Sequence, residues 1–215
     1  LSPILNRFLA EKSRRQRFLV RHINREWCPS LSFRVKMEQV ARSRESNIVL
    51  ALDFPFEKPE NREILFSKAN HVLEAVYPYI CAVKFNHHLV LPLGTFDGVQ
   101  KLVKKIHDLK LMAIMDCKAN DIGSTNQVIA EYYYAAGFDA LIANPFIGWE
   151  EGLQPILDVA RRLQRGVILR VYMSHKGASE GYGQTIIEAE SGTKVPQYAS
   201  FAKKALKFHA DGAIV

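Results

Sequence analysis

The feature that most constrains this chain is a spacing. Short runs rich in Val and Ile recur along it: Asn47–Leu52, Tyr79–Lys84, Leu111–Met115, Phe138–Ala143, Val167–Met173 and Asp211–Val215. Asp53, Lys84, Asp116, Asn144 and Ser174 stand at the C-terminal ends of the first five, separated by 31, 32, 28 and 30 residues. The runs are apolar nearly throughout rather than alternating, which is the pattern of parallel strands covered by helices on both faces. Helix-like stretches lie between them, among them 96–109, 125–136 and 151–164, with Gly94, Gly137, Gly148 and Gly166 at element ends.

A β/α unit repeating at about 30 residues predicts a (β/α)8 barrel, which takes about 250 residues in eight units. A doubly wound open sheet is the competing architecture. No Gly-x-Gly-x-x-Gly follows the first run, so the dinucleotide-binding version of that fold loses its main support. Six units fit into residues 46–215, and the barrel reading expects two more, roughly 60 residues, after Val215. Leu1 in place of an initiator Met raises the same expectation for the start.

Charge divides the chain at residue 45. Residues 1–45 hold 11 Lys+Arg against 4 Asp+Glu, while residues 46–215 hold 18 of each. The net charge of +7 therefore belongs to the N-terminal segment, and a surface built throughout for nucleic acid is excluded. Ile4, Phe8, Leu9, Phe18, Leu19 and Ile23 fall on one helical face of that segment, with Arg14, Arg15, Arg17, Arg21 and Arg25 on the others. This predicts a basic helical extension over 1–45, packed on the N-terminal face of a barrel domain over 46–215. An RNA-binding or acidic-partner arm is the alternative, with few aromatics to support it. Cys28, Cys81 and Cys117 form no Cys-x-x-Cys pair, which points to free thiols in a reducing compartment. No secretory signal precedes the first run, and no apolar stretch approaches the ~18 residues of a membrane span, so a cytoplasmic protein is expected.

The chemistry concentrates in Met115-Asp116-Cys117-Lys118-Ala119-Asn120-Asp121-Ile122-Gly123-Ser124-Thr125. A strand period of two puts Asp116 and Lys118 on one face, the inner face in a barrel, and turns Cys117 outward as a small apolar residue. Asp53 and Lys84 close the two preceding runs. Charges from three consecutive strand ends then converge at one mouth, where acids and ammonium groups alternate and none is buried unpaired. A purely structural ion-pair network is the competing explanation. His87-His88 has no partner at a recognised ligand spacing, so a polar loop is expected there and no metal. Gly177–Gly183 is Gly-rich and follows the fifth run, but it is no phosphate-binding P-loop. Asn144-Pro145 is read as loop geometry.

Asp116, Lys118, Asp121, Ile122 and Thr125 make Asp-x-Lys-x-x-Asp-Ile-x-x-Thr, which resembles the signature of the orotidine 5′-phosphate decarboxylase family. Leu52-Asp53, Val83-Lys84 and Met173-Ser174-His175-Lys176-Gly177-Ala178 fall in that family's order, the last in the manner of its archaeal branch. The likeness runs from Asn47 to Val215. The Asp-x-Lys-x-x-Asp core alone is shared with sugar-phosphate decarboxylases and aldolases; Ile122, Thr125 and the Met-Ser-His segment narrow the match.

The resemblance implies a barrel enzyme of pyrimidine biosynthesis that decarboxylates orotidine 5′-monophosphate to UMP with neither metal nor cofactor. It implies that Asp53 binds a ribose hydroxyl and supports Lys84, that Lys84 bridges the ribose and Asp116, and that Asp116 lies against the substrate carboxylate. Lys118 would protonate C6, and Ser174 would hydrogen-bond the pyrimidine. Asp121, Ile122 and Thr125 would complete the partner's site in a homodimer. The family's phosphate-gripping Gln and Arg, after its seventh and eighth strands, have no counterpart in this sequence. A Mg²⁺-dependent sugar-phosphate lyase on the same barrel, and a nucleic-acid-binding protein using residues 1–45, are the alternative functions.

Overall fold

The computed structural model describes residues 32–56, 58–188 and 191–215. The first 31 residues, and with them most of the expected basic extension, lie outside the described residues. What is described of that segment is helix α1 (Phe33–Ser43), which buries Phe33 and Val40.

Six strands form one parallel sheet: β1 (Val49–Ala51), β2 (Ala82–Phe85), β3 (Met112–Ala119), β4 (Ala140–Ala143), β5 (Gly166–Arg170) and β8 (Gly212–Ile214). They stand side by side in chain order. Each coincides with one of the six apolar runs. Helices α2 (Arg62–Val76), α3 (His87–Leu93), α4 (Gln100–Asp108), α5 (Gly123–Ala135) and α6 (Gln154–Leu163) occupy the crossovers. β2, β4 and β5 are buried along almost their whole length, as sheets sandwiched by helices require. β1 is an outer strand and stays half exposed.

Three elements depart from the sequence expectation. The 96–109 stretch is regular helix only from Gln100, because Phe96 leaves helical geometry in the turn before it. His87 and His88 open helix α3, and the Asn86 side chain caps it by accepting from the His88 amide at 2.8 Å. A loop does not describe them. The Gly177–Gly183 segment holds a short helix, α7 (Ala178–Gly181), followed by an antiparallel hairpin of β6 (Thr185–Ile187) and β7 (Lys194–Pro196). Helix α8 (Gln197–Lys207) then returns the chain to β8. Tyr182 anchors this excursion: it is buried edge-on against Phe146 and Phe201, with Tyr172 beside it.

The two ends of the sheet are used differently. At the N-terminal end, Asp139 and Asp211 each stand one residue before a strand and accept from the second amide of the neighbouring strand, Ala113 N–H at 2.8 Å and Val167 N–H at 2.9 Å. His107 Nε2 and Arg165 Nη1 also meet Asp139, at 2.9 and 2.7 Å, so this buried acid is fully engaged in structure. Helix α1 closes the same end. Phe33 lies on Gly166, Arg44 reaches the Leu109 carbonyl, and the Tyr134 hydroxyl donates to the Gly166 carbonyl at 3.0 Å. The C-terminal end is left for the polar residues that close the strands.

Candidate active site

At that C-terminal end the ends of β1, β2 and β3 bring Asp53, Lys84, Asp116 and Lys118 together. Lys84 Nζ lies 3.2 Å from Asp116 Oδ2 and 3.7 Å from Asp53 Oδ2, and Lys118 Nζ lies 3.1 Å from the same Asp116 Oδ2. Asp116 is the centre of the cluster, its side chain only 6% exposed.

Strand period alone does not deliver Lys118. The β3–β4 register shifts between Met115 and Ala119, and Lys118 has φ +52°. A bulge with a left-handed non-glycine residue costs on the order of 1–3 kcal/mol and re-aims a side chain. Here it brings the Lys118 ammonium to the same oxygen that Lys84 holds. Cys117 stays on the core side, where its Sγ faces the Ile142 carbonyl at 3.5 Å. Part of the residue is open, but protein packs densely round the thiol and that desolvation pushes its pKa up to about 11. It is no nucleophile at neutral pH.

A fifth charge belongs to the site and was not anticipated. Arg170, at the end of β5, donates from Nη2 to Asp116 Oδ1 at 2.7 Å. In the sequence it hides inside Val167–Met173, an otherwise apolar run. The signal was there: an Arg inside a doubly covered strand is costly unless an acid meets it. Burial by itself pushes the Asp116 carboxyl up, but the Lys118 hydrogen bond and the charges of Arg170, Lys84 and Lys118 outweigh it and hold its pKa below the ordinary value.

The remaining expected site residues do not join this cluster within one chain. Asp121, Ile122 and Thr125 are exposed, Ile122 by 68%. The turn at Asp121 and Ile122, which leads into α5, is nonetheless held by hydrogen bonds. Buried Asn126 accepts from the Asp121 amide at 3.2 Å and donates to the Asp121 and Gly152 carbonyls, while Asp121 Oδ1 accepts from the Ile122 amide. Thr125, Val128 and Tyr132 continue as an exposed stripe at helical spacing on α5, and Phe96 packs edge-on against Tyr132. Ser174 is exposed in the turn after β5. Asn144 serves its loop, accepting from the Phe146 amide at 3.2 Å. Among the described residues no group of three His, Cys, Asp or Glu is placed to hold a metal ion.

A parallel β/α sheet with a structural N-terminal end and a Lys–Asp–Lys cluster at its C-terminal end defines a (β/α)-barrel protein with its site at the mouth. The sequence model of the orotidine 5′-phosphate decarboxylase / HUMPS family matches residues 46–215, and the chain belongs to that family. It is 32% identical over 160 residues to the orotidine 5′-phosphate decarboxylase of Thermomicrobium roseum, covering 70% of this chain and 54% of that protein. It is 35% identical over 111 residues to the Methanocaldococcus jannaschii decarboxylase, covering 52% and 49%. The crystal structure of the M. jannaschii enzyme complexed with the inhibitor BMP is similar at a TM-score of 0.60 and 27% identity, over 79% of this chain and 67% of that one. A Streptomyces avermitilis structure shares the fold at a TM-score of 0.71 and 19% identity, over 90% and 72%. The six-stranded sheet is thus part of a (β/α)8 barrel, and the chain spans about half the length of the curated relatives it matches.

Proposed function

We propose that this chain carries the decarboxylase site that turns orotidine 5′-monophosphate into UMP, without metal or cofactor. The observation that carries the reading is the convergence of Lys84 and Lys118 on Asp116 Oδ2. In the reaction the C6–carboxylate bond breaks, CO₂ leaves, and the electron pair stays on C6. No conventional electron sink receives it, so the barrier must fall by something on the order of 20 kcal/mol. An ammonium already fixed beside C6 acts most strongly on charge that exists only in the transition state. Lys118 fills this role and then gives C6 its proton. Asp116 fixes both ammonium groups and lies next to the carboxylate that departs. Lys84 links Asp116 to the ribose, with Asp53 behind it, and Ser174 takes a pyrimidine polar atom.

The homodimer belongs to this proposal, with Asp121, Ile122 and Thr125 completing the partner's site. It is supported by their exposure on the turn held by Asn126 and the first turn of α5, and by the stripe of Val128 and Tyr132 that continues from them. A barrel domain over 46–215 behind a basic extension over 1–45 is the matching domain division. Cys81 and Cys117 are free thiols, and no helix among the described residues is long and apolar enough to cross a membrane, in keeping with a cytoplasmic enzyme. The test is direct: incubate the full chain with orotidine 5′-monophosphate and chelator, and follow CO₂ release and UMP formation. Turnover under chelation supports the reading; turnover of a keto-sugar phosphate that stops with chelation would replace it with the Mg²⁺-dependent alternative.

A further inference from the structure

Arg170 sets this cluster apart from a simple Lys–Asp–Lys arrangement. Three cations, Lys84, Lys118 and Arg170, face two carboxylates, Asp53 and Asp116, which leaves one positive charge in surplus. The Arg170 side chain is 9% exposed, and its Nε–H is buried without a hydrogen-bond partner. Nε and Nη2 lie on one edge of the planar guanidinium, the edge with which arginine grips a carboxylate side-on. Nη2 is committed to Asp116 Oδ1, so the unpartnered Nε points its proton beside that oxygen. The Tyr182 hydroxyl, also buried, feels the Arg170 charge and has the Asn144 side chain as its hydrogen-bonding neighbour. Burial pushes its pKa up, against smaller opposing effects of Arg170 and Asn144, so it stays a protonated donor.

An orphaned buried donor on Arg170 and one unbalanced charge in the same cluster call for an anionic acceptor. We infer that Arg170 is a specificity-determining residue: its Nε–H receives a carboxylate carried by the ligand, bridging it to Asp116. The inference rests on the decarboxylase reading for where that carboxylate comes from, the C6 substituent of the pyrimidine. It also resolves a conflict in that reading. An Asp beside a substrate carboxylate is two like charges in contact, and a guanidinium between them offsets the repulsion in the bound state. As CO₂ leaves, the carboxylate loses its charge and this interaction fades, so Arg170 favours binding of substrate over product rather than the chemical step.

The experiment compares ligands that differ only in the carboxylate: orotate against uracil with the unaltered chain, and orotidine 5′-monophosphate against UMP in a Lys118→Ala background that keeps the substrate intact. Affinities are read by calorimetry or ligand-observed NMR, with folding checked by thermal melting. The native chain is expected to hold the carboxylated member of each pair at least tenfold more tightly. Arg170→Met should remove most of that preference while leaving uracil and UMP affinities within about twofold, and Arg170→Lys, which keeps the charge but not the fork, should fall between. A preference unchanged in both variants, or an equal loss for carboxylated and plain ligands, overturns the assignment and leaves Arg170 a brace for Asp116. If UMP does not bind but the Arg170-dependent preference for orotate persists, the decarboxylase reading falls and the carboxylate site stands. If UMP binds and the native chain ignores the carboxylate, the reverse holds.

Discussion

Phe33 and Gly166 are in contact so close that neither tolerates a larger partner: a Cβ on Gly166 would sit 2.4 Å from the Phe33 ring and 2.8 Å from its Cβ. The clash is with the root of the side chain as well as its ring, so a rotamer change does not relieve it. Gly166→Ala should therefore destabilise the chain by about 1–3 kcal/mol, seen as a drop of several degrees in melting temperature. Phe33→Ala should cost stability alone yet suppress the effect of Gly166→Ala in the double variant. Strict additivity of the two would show that the pair is not in contact.

On the proposed decarboxylase reading, Lys118→Ala should cut decarboxylation by at least about a thousandfold, since it would remove both a fixed charge at C6 and the proton donor. UMP affinity should fall far less than turnover, because the ribose contacts expected of Asp53 and Lys84 do not run through Lys118. Single-turnover kinetics together with UMP titration separate the two effects, and near-native turnover would remove Lys118 from its role.

Asp121→Ala should impair turnover although Asp121 touches no cluster residue of its own chain. Mixing that variant with Lys118→Ala should then restore activity. In the proposed homodimer, half of the randomly reassorted dimers would pair the two variants, and each would rebuild one intact site of two, giving about a quarter of native activity. No recovery, once mixed dimers are demonstrated by mass, would count against the shared site.

Asp116 makes an acid-side prediction. Its carboxyl is held below its ordinary pKa in the folded chain, so it contributes stability above its unfolded value, about 4. That contribution fades as pH falls through the folded value. Asp116→Asn should be less stable than the parent at neutral pH, by about 3–5 kcal/mol because three cations lose their acid, and the gap should narrow on acidification. Asp211, raised in pKa by its burial, has the opposite slope but is common to both chains and cancels in the difference. Parallel denaturant titrations at several pH values measure this; a gap independent of pH would mean that Asp116 carries no charge-dependent stability.

The barrel was legible because doubly covered strands must be apolar throughout, and because each helical crossover takes about the same length of chain. Asp53, Lys84, Asp116 and Lys118 were legible because an ion at the end of such a strand needs a partner. Arg170 was not, since its partner Asp116 lies 54 residues away on a strand that is not its neighbour. The bulge at Lys118 was invisible for another reason: nothing in Asp116-Cys117-Lys118 marks a left-handed residue, a conformation rare outside glycine. The β6–β7 hairpin escaped because Thr185–Ile187 and Lys194–Pro196 are three-residue strands that stand out of the main core, where no apolar periodicity accumulates.

The bond between Asp116 and Arg170 reaches across β4, which lies between their strands. A slip of β5 by one residue would carry Arg170 to the opposite face of the sheet. That slip would strand a guanidinium among helices and leave Asp116 Oδ1 bare. The same ion pair that shapes the site therefore acts as a register lock, closing only when three strands are aligned. Correct assembly of the sheet and readiness of the site become a single event.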